Sequence, residues 1–94
     1  MILFSSDALS DVERIRTFLE IKNPQAAARA LRAIWIALER AEASPKLGRL
    51  VKGTDIRQII VRFGRHGYIV RYRAFAADGL IFVTRVWHGR EGRE

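Results

Sequence analysis

Hydrophobic and polar residues alternate in three runs along the second half of the chain. The runs are IRQIIVRF (56–63), YIVRYRAF (68–75) and LIFVTRVW (80–87), and each is rich in β-branched and aromatic residues. Two four-residue segments that contain glycine, GRHG and AADG, separate them. Alternation over runs of this length, interrupted by glycine-containing turns, is typical of antiparallel strands joined by hairpins. The pattern therefore predicts a three-stranded meander.

Because side chains along a strand point alternately to the two sides of a sheet, the pattern also predicts which residues share a face. One face is almost wholly apolar and comprises Ile59, Val61, Phe63, Tyr68, Val70, Tyr72, Leu80, Phe82, Thr84 and Val86. The other comprises Gln58, Ile60, Arg62, Ile69, Arg71, Arg73, Ile81, Val83, Arg85 and Trp87. We expect the rest of the chain to cover the first face. The second face has four arginines and no acid around an apolar strip, which we expect a partner to cover.

The first half of the chain carries a short apolar run at 2–4 and then apolar residues at helical spacing. The run at 2–4 predicts an edge strand, and the helical spacing predicts helices over 7–21 and 24–43. The pair Asn23 and Pro24 separates the helices, because Asn is a strong N-cap and Pro is favoured at the first helical position. An antiparallel αα-hairpin over the apolar sheet face is the simplest arrangement of these elements.

The predicted fold class is α+β, with an N-terminal αα-hairpin packed on an antiparallel β-sheet. The sheet consists of the short N-terminal strand and the three-stranded meander. A chain of 94 residues has room for one domain, so residues 1–94 are expected to form a single domain. Residues 45–55 are interpreted as a basic, glycine-containing linker, and residues 88–94 as a charged tail.

Composition limits the chemistry and favours an acidic partner. The chain has 17 Lys and Arg residues against 10 Asp and Glu, giving a net charge of +7, and 14 of the basic residues are arginine. It has no cysteine, which excludes disulfides, thiolate zinc sites and a cysteine nucleophile. The two histidines, His66 and His88, are far apart in sequence, so no metal site and no cofactor are expected. The N-terminus does not have the pattern of a signal peptide and no run reaches membrane length, so a cytoplasmic protein is expected.

The order of several short motifs resembles the RelE/ParE toxin superfamily of bacterial toxin–antitoxin modules. The motifs are Asn23-Pro24-Gln25-Ala26-Ala27, Ser44-Pro45-Lys46-Leu47-Gly48-Arg49, Arg57–Val61, Gly67–Arg73 and Val86–Arg90. None of them is specific alone, but their order and spacing cover nearly the whole chain. The resemblance implies two helices against an antiparallel sheet and a small toxin. It also implies a cognate antitoxin as partner, a short ParD-like or similar protein.

The superfamily contains two functional branches, and the sequence favours one of them. RelE-like members cut mRNA on the ribosome, and their pattern has an Arg after the Gly-Tyr pair, lysines on the preceding strand and a C-terminal Tyr. Here Ile69 follows Gly67 and Tyr68, Arg62 stands alone where a basic pair would be expected, and no Tyr follows the last strand. ParE-like members poison DNA gyrase and are not nucleases. We therefore expect a ParE-like toxin that binds DNA gyrase and has no catalytic residues.

The candidate residues for binding the target or the antitoxin come from the arginine-bearing face and from the Arg57–Val61 and Val86–Arg90 motifs. They are Arg57, Arg62, Arg71, Arg73, Arg85, Trp87, His88 and Arg90. Trp87 is interpreted either as a partner anchor or as cover for the sheet, and His66 as a solvated loop histidine. Two alternatives stay open. One is a ribosome-dependent mRNA endoribonuclease that uses His88 and Arg90, and the other is a non-toxic basic module that binds nucleic acid.

Overall fold

In the computed structural model, which describes residues 1–90, two helices pack on a five-stranded sheet. The elements are β1 (Ile2–Phe4), α1 (Ser6–Lys22), α2 (Pro24–Ala43), β2 (Arg49–Leu50), β3 (Arg57–Val61), β4 (Tyr68–Phe75), a 3₁₀ turn (Ala76–Asp78) and β5 (Leu80–His88). The α+β class with a helical hairpin on a sheet is confirmed. Of the predicted charged tail, His88 belongs to β5 and residues 91–94 lie outside the described part. Within residues 1–90, neither α1 nor α2 is long and apolar enough to cross a membrane.

Polar side chains at the helix boundaries determine where the helices begin and end. Ser5 caps α1, with its hydroxyl accepting a hydrogen bond from the Ala8 amide at 3.0 Å. Asn23 caps α2, and its side-chain oxygen accepts from the amides of Gln25 at 3.0 Å and Ala26 at 3.2 Å. The backbone of Asn23 also ends α1. Because one residue ends the first helix and begins the second, the two helices form a tight hairpin.

The sheet is mixed rather than purely antiparallel, with strand order β1-β5-β4-β3-β2. β1 lies parallel to β5, with Ile2 opposite Ile81 and Phe4 opposite Val83. Residues 49–50, within the expected linker, form β2 and pair antiparallel with β3. Both differences correct the predicted sheet. Alternation within a short strand identifies its faces but carries no information about the direction of a neighbour that is distant in sequence.

A bulge interrupts the pairing of β4 with β5. Arg71 lies opposite Arg85, but the next residue of β4, Tyr72, lies opposite Val83. Thr84 is therefore an extra residue in β5 that has no counterpart in β4. An insertion of one residue exchanges the faces of all side chains beyond it, because side chains alternate with a period of two.

The bulge overturns the face assignment for residues 80–83. Ile81 and Val83 are 1% and 0% exposed and belong to the core between sheet and helices. Leu80 and Phe82 are only partly buried on the open side. Alternation predicts the opposite face for each of these four residues, and that prediction is wrong. Val86, which lies on the other side of the bulge, is buried as predicted.

The core lies between the helical hairpin and one face of the sheet. Its buried members are Ala8, Ile15, Ala30, Ile34, Leu38, Ala41, Val61, Tyr68, Val70, Tyr72, Ile81, Val83 and Val86. Tyr72 is fully buried, and its hydroxyl donates to the Pro45 carbonyl at 3.0 Å and accepts from the Gly48 amide at 2.9 Å. Tyr72 therefore attaches the loop before β2 to the centre of the sheet.

Asp11 attaches α1 to the edge of β5. β1 pairs with β5 only as far as Val83, so no strand within the described residues 1–90 covers the β5 edge beyond that residue. There the Asp11 carboxylate accepts from the Val86 amide at 2.9 Å and from Arg85 Nε at 2.7 Å. The carboxylate thus replaces a missing strand partner, and α1 lies close to the end of β5.

Candidate functional site

The open face of the sheet carries Arg71 and Arg73, and Arg62 follows β3 directly. Arg71 donates through Nε to the Gln58 side chain at 2.9 Å, so neighbouring groups hold its guanidinium in place. Arg73 has a side chain 46% exposed and lies 3.3 Å from an Asp55 carboxylate oxygen, whereas Arg62 is exposed. Arg62 and Arg73 are thus the charges on this side that a partner can reach with little rearrangement. We call Arg62, Arg71 and Arg73 the arginine surface.

Trp87 is buried, with 3% of its surface exposed, and the Arg71 guanidinium lies over its ring at 5.0 Å from the centroid. Its indole nitrogen is buried and has no hydrogen-bond acceptor among residues 1–90. Trp87 is therefore not an exposed anchor for a partner, which corrects one of the two interpretations above. The apolar residues on this face also differ from those expected. Trp87 is covered, and Ile81 and Val83 are in the core, which leaves Ile60, 63% exposed, and the partly buried Ile69. Leu80 and Phe82 lie on this side instead and are partly buried.

Arg85 has a structural role in the ion pair that attaches α1. Its Nε and Nη2 atoms donate to the Asp11 carboxylate at 2.7 and 3.0 Å, and Arg14 donates to the same carboxylate at 2.9 Å. Burial by itself raises the pKa of Asp11, but the hydrogen bonds from Arg85, the Val86 amide and Arg14 outweigh it and lower the pKa to about 2. The carboxylate is thus ionised at neutral pH, and Arg85 is one of its partners.

Arg57 lies in β3 opposite Tyr72 and is turned towards the loop before β2. Its Nη1 donates to the Gly48 carbonyl at 2.8 Å. This contact holds the loop rather than adding a charge to the arginine surface.

A cavity of about 710 Å³ lies between α2 and the outer edge of β3, and we call it the edge groove. Its apolar wall includes Ala33, Ile36, Ala37, Leu47, Ile59 and Ile60, and its basic rim is formed by Arg40, Arg49 and Arg62. Leu47 and Ile60 are 51% and 63% exposed, so a hydrophobic surface is open to solvent here.

The edge groove also contains a strand edge that no strand within residues 1–90 pairs with. β2 pairs with β3 only at Arg57 and Gln58. The Val51 amide donates to the Ile56 carbonyl at 2.8 Å, so the backbone groups of even-numbered residues in this segment point towards the β2 side. Backbone groups point alternately to the two sides of a strand, so those of Ile60 have the same direction as those of Ile56 and Gln58. The N–H and C=O of Ile60 therefore point away from β4, at a position beyond the end of β2.

A second cavity, of about 580 Å³, lies between the C-terminal half of α1 and the end of β5, and we call it the histidine pocket. It is lined by Arg14, Ile15, Phe18, Lys22, His66, Tyr68, His88 and Arg90. The rings of His66 and His88 are 5.7 Å apart between centroids, and those of Tyr68 and His88 are 5.3 Å apart. The pocket thus combines an apolar and aromatic floor with a cationic rim.

Two glycines bring the histidines together. Gly67 has a φ of +71°, and an added Cβ would lie 2.4 Å from the Val61 carbonyl oxygen, so no other residue fits there without distortion. The Gly89 amide donates to the Gly67 carbonyl at 3.1 Å. A Cβ on Gly89 would lie 2.9 Å from the His66 carbonyl oxygen. The turn between β3 and β4, which contains His66, is therefore packed against the end of β5, and this places His66 next to His88.

The surroundings of the histidines suit an anion better than a metal ion. The Arg90 amide donates to Nδ1 of His88 at 3.1 Å, so the neutral ring carries its proton on Nε2 and is a donor there. No group of three or more His, Asp or Glu residues that could hold a metal ion occurs within residues 1–90. This pairing of the histidines differs from the expectation that His66 is a solvated loop residue far from His88. A glycine after each histidine was the available signal.

Comparisons with known proteins agree with the fold. Residues 2–92 match the family described as "ParE toxin of type II toxin-antitoxin system, parDE". The chain is 37% identical to Toxin RelE1 of Caulobacter vibrioides over 92 residues, which cover 98% of this chain and 96% of that protein. It is 33% identical to Toxin RelE3 of the same organism over 86 residues, covering 92% and 90%.

Two solved structures share the architecture at low sequence identity. A toxin–antitoxin complex of E. coli, RelBE, has a chain with a TM-score of 0.64 and 19% identity, covering 99% of this chain and 98% of that one. The chromosomal ParDE system of P. aeruginosa has a chain with a TM-score of 0.70 and 17% identity, covering 93% and 92%. Both structures are of toxin–antitoxin systems.

Proposed function

This chain belongs to the RelE/ParE superfamily and is the toxin of a type II toxin–antitoxin module, and we propose on that basis that its target is DNA gyrase. The arginine surface is the proposed contact with the target. Arg62 and Arg73 are exposed there, while Arg71 is held by Gln58. Arginine forks of this kind suit acidic protein surfaces and nucleic-acid phosphates, both of which a gyrase–DNA complex presents.

The composition of the open sheet face supports a binding toxin over a nuclease. Cleavage of RNA needs a proton acceptor, a proton donor and cations placed around one phosphate. On this face position 69 is isoleucine, and Arg71 is occupied by Gln58 and Trp87. His88 is paired with Tyr68 on the helix side of the sheet. The groups expected of a nuclease are thus not gathered on the arginine surface, and His66, Tyr68, His88 and Arg90, which would serve the nuclease alternative, meet in the histidine pocket on the other side of the sheet.

Two assays test this proposal directly: supercoiling by DNA gyrase, and primer extension on mRNA bound to ribosomes. The full chain should inhibit supercoiling or trap cleaved DNA, and primer extension on translated message should show no codon-linked cuts. The double variant Arg62→Gln, Arg73→Gln should need roughly tenfold more protein for half inhibition, which corresponds to about 1.4 kcal/mol. The matched control is Arg29→Gln, Arg32→Gln, which removes the same charge from exposed positions on α2 and should inhibit like the parent chain.

Codon-linked cuts in the mRNA would refute gyrase as the target and would identify ribosome-bound mRNA as the target instead. A lack of any effect on gyrase would also refute the assignment. Equal loss of inhibition in the two double variants would mean that net charge, and not the arginine surface, drives binding.

The antitoxin is proposed to bind in the edge groove. An isolated chain gains nothing from exposing Leu47, Ile60 and the neighbouring α2 residues to water, and the rim of the groove is basic. The complementary ligand is an extended segment with apolar residues alternating with acidic ones. Such a segment can add a strand to the outer edge of β3 by hydrogen bonding to the backbone of Ile60. Arg62 borders both the groove and the arginine surface, so a bound antitoxin would cover part of the target contact.

Substitution at Ile60 tests strand addition separately from hydrophobic contact. Ile60→Pro removes the outward N–H without touching the pairing of β3 with β4, and proline is tolerated where a strand N–H faces solvent. Binding to the antitoxin encoded in the neighbouring reading frame should weaken at least roughly tenfold. The control Ile60→Val keeps the N–H and should weaken binding less than about threefold. Wild-type affinity of the folded proline variant, with the fold checked by amide NMR, would refute strand addition.

A further inference from the structure

We infer that one end of the open sheet face binds an apolar surface of the target protein itself, and not the DNA. This end is formed by Leu3, Phe75, Leu80 and Phe82, and we call it the apolar end. The inference rests on the proposed function, because it names the component of a gyrase–DNA complex that the chain contacts.

The register of three strands brings these side chains together. Leu3 of β1 lies opposite Phe82 of β5, and Leu80 at the start of β5 lies opposite Phe75 at the end of β4. Neighbouring strands are about 4.8 Å apart, so side chains on one face at this register are within contact distance. The extra residue Thr84 turns Leu80 and Phe82 to the open face, and alternation alone therefore does not predict the cluster.

The apolar end is accessible to a partner. Leu3 and Phe75 are 47% and 43% exposed, and Leu80 and Phe82 are partly buried. Residues 91–94 follow the opposite end of β5. Even fully extended they span at most about 14 Å, against about 26 Å along β5, so they cannot reach the cluster. Contiguous apolar residues that stay exposed mark interaction sites.

The charges around the apolar end disfavour a phosphate. Asp78 is exposed in the 3₁₀ turn that joins β4 to β5, and it forms no ion pair within residues 1–90. Arg73, which lies opposite Phe82, is 3.3 Å from the carboxylate of Asp55. A phosphate would therefore meet one unpaired carboxylate and one cation that a second carboxylate already shares. Nucleic acid is bound mainly through its phosphates, so it is poorly matched to this end.

A protein surface matches the composition better. The buried centres of protein interfaces are enriched in aromatic residues and Arg and depleted of acids. Arg73 connects the apolar end to the arginine surface, because it lies opposite Phe82. Its ion pair with Asp55 is exposed and contributes little, so a carboxylate of the partner can replace Asp55. The partner is thus expected to present an apolar side chain next to an acid.

Two other occupants are less well matched. A second copy of the chain would bring two arginine surfaces towards each other, since each continues from the apolar end, and like charges weaken association. The antitoxin is proposed to bind beside β2 and β3, whereas the apolar end extends to β1 at the opposite edge of the sheet.

Calorimetric titration of DNA gyrase with the full chain, in the absence of DNA, tests the inference. We expect binding without DNA. The double variant Leu3→Gln, Phe75→Gln should weaken it at least roughly tenfold, because both side chains lose apolar contact. The loss should be equal at low and high salt, since apolar contacts are not screened. Both side chains are exposed, so circular dichroism should show an unchanged fold.

Leu9→Gln, Phe18→Gln is the matched control. It changes the same two residue types on α1, where they are 57% and 58% exposed. This variant should bind gyrase within about twofold of the parent chain. Equal weakening by the two double variants would overturn the site in favour of general hydrophobic attraction. Unchanged binding of Leu3→Gln, Phe75→Gln would overturn it as well.

Asp78→Lys separates the protein from the DNA. Next to an apolar protein surface this change should alter binding less than about threefold, with or without DNA. Next to a phosphate it would strengthen binding when DNA is present. That strengthening, or binding that requires DNA, would assign the apolar end to DNA and overturn the inference.

The same double variant distinguishes the remaining occupants. If Leu3→Gln, Phe75→Gln loses antitoxin binding, or loses self-association measured by light scattering, while it binds gyrase normally, that partner replaces gyrase at the apolar end. A parent chain that neither binds nor inhibits gyrase would refute the proposed function together with this inference. Inhibition by the parent chain that this variant fully retains would refute the inference alone.

Discussion

Neutralising Asp11 should remove a measurable part of the free energy of unfolding, and the loss should depend on pH. The carboxylate is 2% exposed and accepts hydrogen bonds from Arg85, Arg14 and the Val86 amide. These bonds lower its pKa from 3.8 to about 2 although burial opposes them. A lowering of that size corresponds to about 2.5 kcal/mol, since one pKa unit is about 1.4 kcal/mol.

The direction of the pH dependence follows from the depressed pKa. The stabilisation is complete above the unfolded-state pKa near 3.8 and is lost as the pH falls through the folded-state pKa of about 2. Asp11→Asn should therefore be about 2.5 kcal/mol less stable than the parent chain at pH 7. At pH 2 the difference should shrink to below about 1 kcal/mol. Arg85 and Arg14 are partly exposed, so water can solvate them in the variant.

Urea denaturation of the parent chain and of Asp11→Asn between pH 2 and pH 7 measures the difference in the free energy of unfolding. The titration of the other carboxylates is the same in both proteins and cancels in this difference. Asp7→Asn is the control, because Asp7 lies in the exposed first turn of α1. That change should cost less than about 1 kcal/mol, the size of a helix-dipole contribution. A difference between Asp11→Asn and the parent chain that stays constant from pH 7 to pH 2 would refute the assignment of the stabilisation to the carboxylate charge.

Three further predictions concern the core and the sheet faces. Tyr72→Phe should lower the free energy of unfolding in urea by about 1–3 kcal/mol, because two buried backbone groups lose their hydroxyl partner. Val83→Asp should prevent folding and Phe82→Asp should not, as judged by circular dichroism, since only Val83 faces the core. The reverse outcome would mean that the bulge is misplaced. Trp87→Phe should cost no more than about 1–2 kcal/mol, the size of the cavity that the smaller ring leaves at this buried position, because the indole N–H that it removes has no acceptor among residues 1–90. A larger loss in thermal unfolding would indicate an acceptor.

The sequence by itself determined the two helices, the short N-terminal strand, the three strands of the meander, and the face of the first two of those strands, but it assigned the residues of β2 to a linker. Helix capping and hydrophobic periodicity depend on residues within about four positions of one another. Asn23 and Pro24 therefore mark the boundary between the two helices whatever the tertiary packing of the helices is. Alternation likewise places Val70 and Tyr72 in the core. The toxin resemblance also rests on short local motifs, and the family match over residues 2–92 agrees with it.

The tertiary structure alone decided what depends on residues far apart in sequence. The extra residue Thr84 in β5 is visible only when that strand is aligned with β4, and it exchanges the faces of residues 80–83. Asp11 and Arg85 are 74 positions apart, and their pairing exists only because α1 lies along an uncovered strand edge. His66 and His88 meet for the same kind of reason. A hairpin register and two close glycine contacts bring them together, and no local preference encodes such a distance.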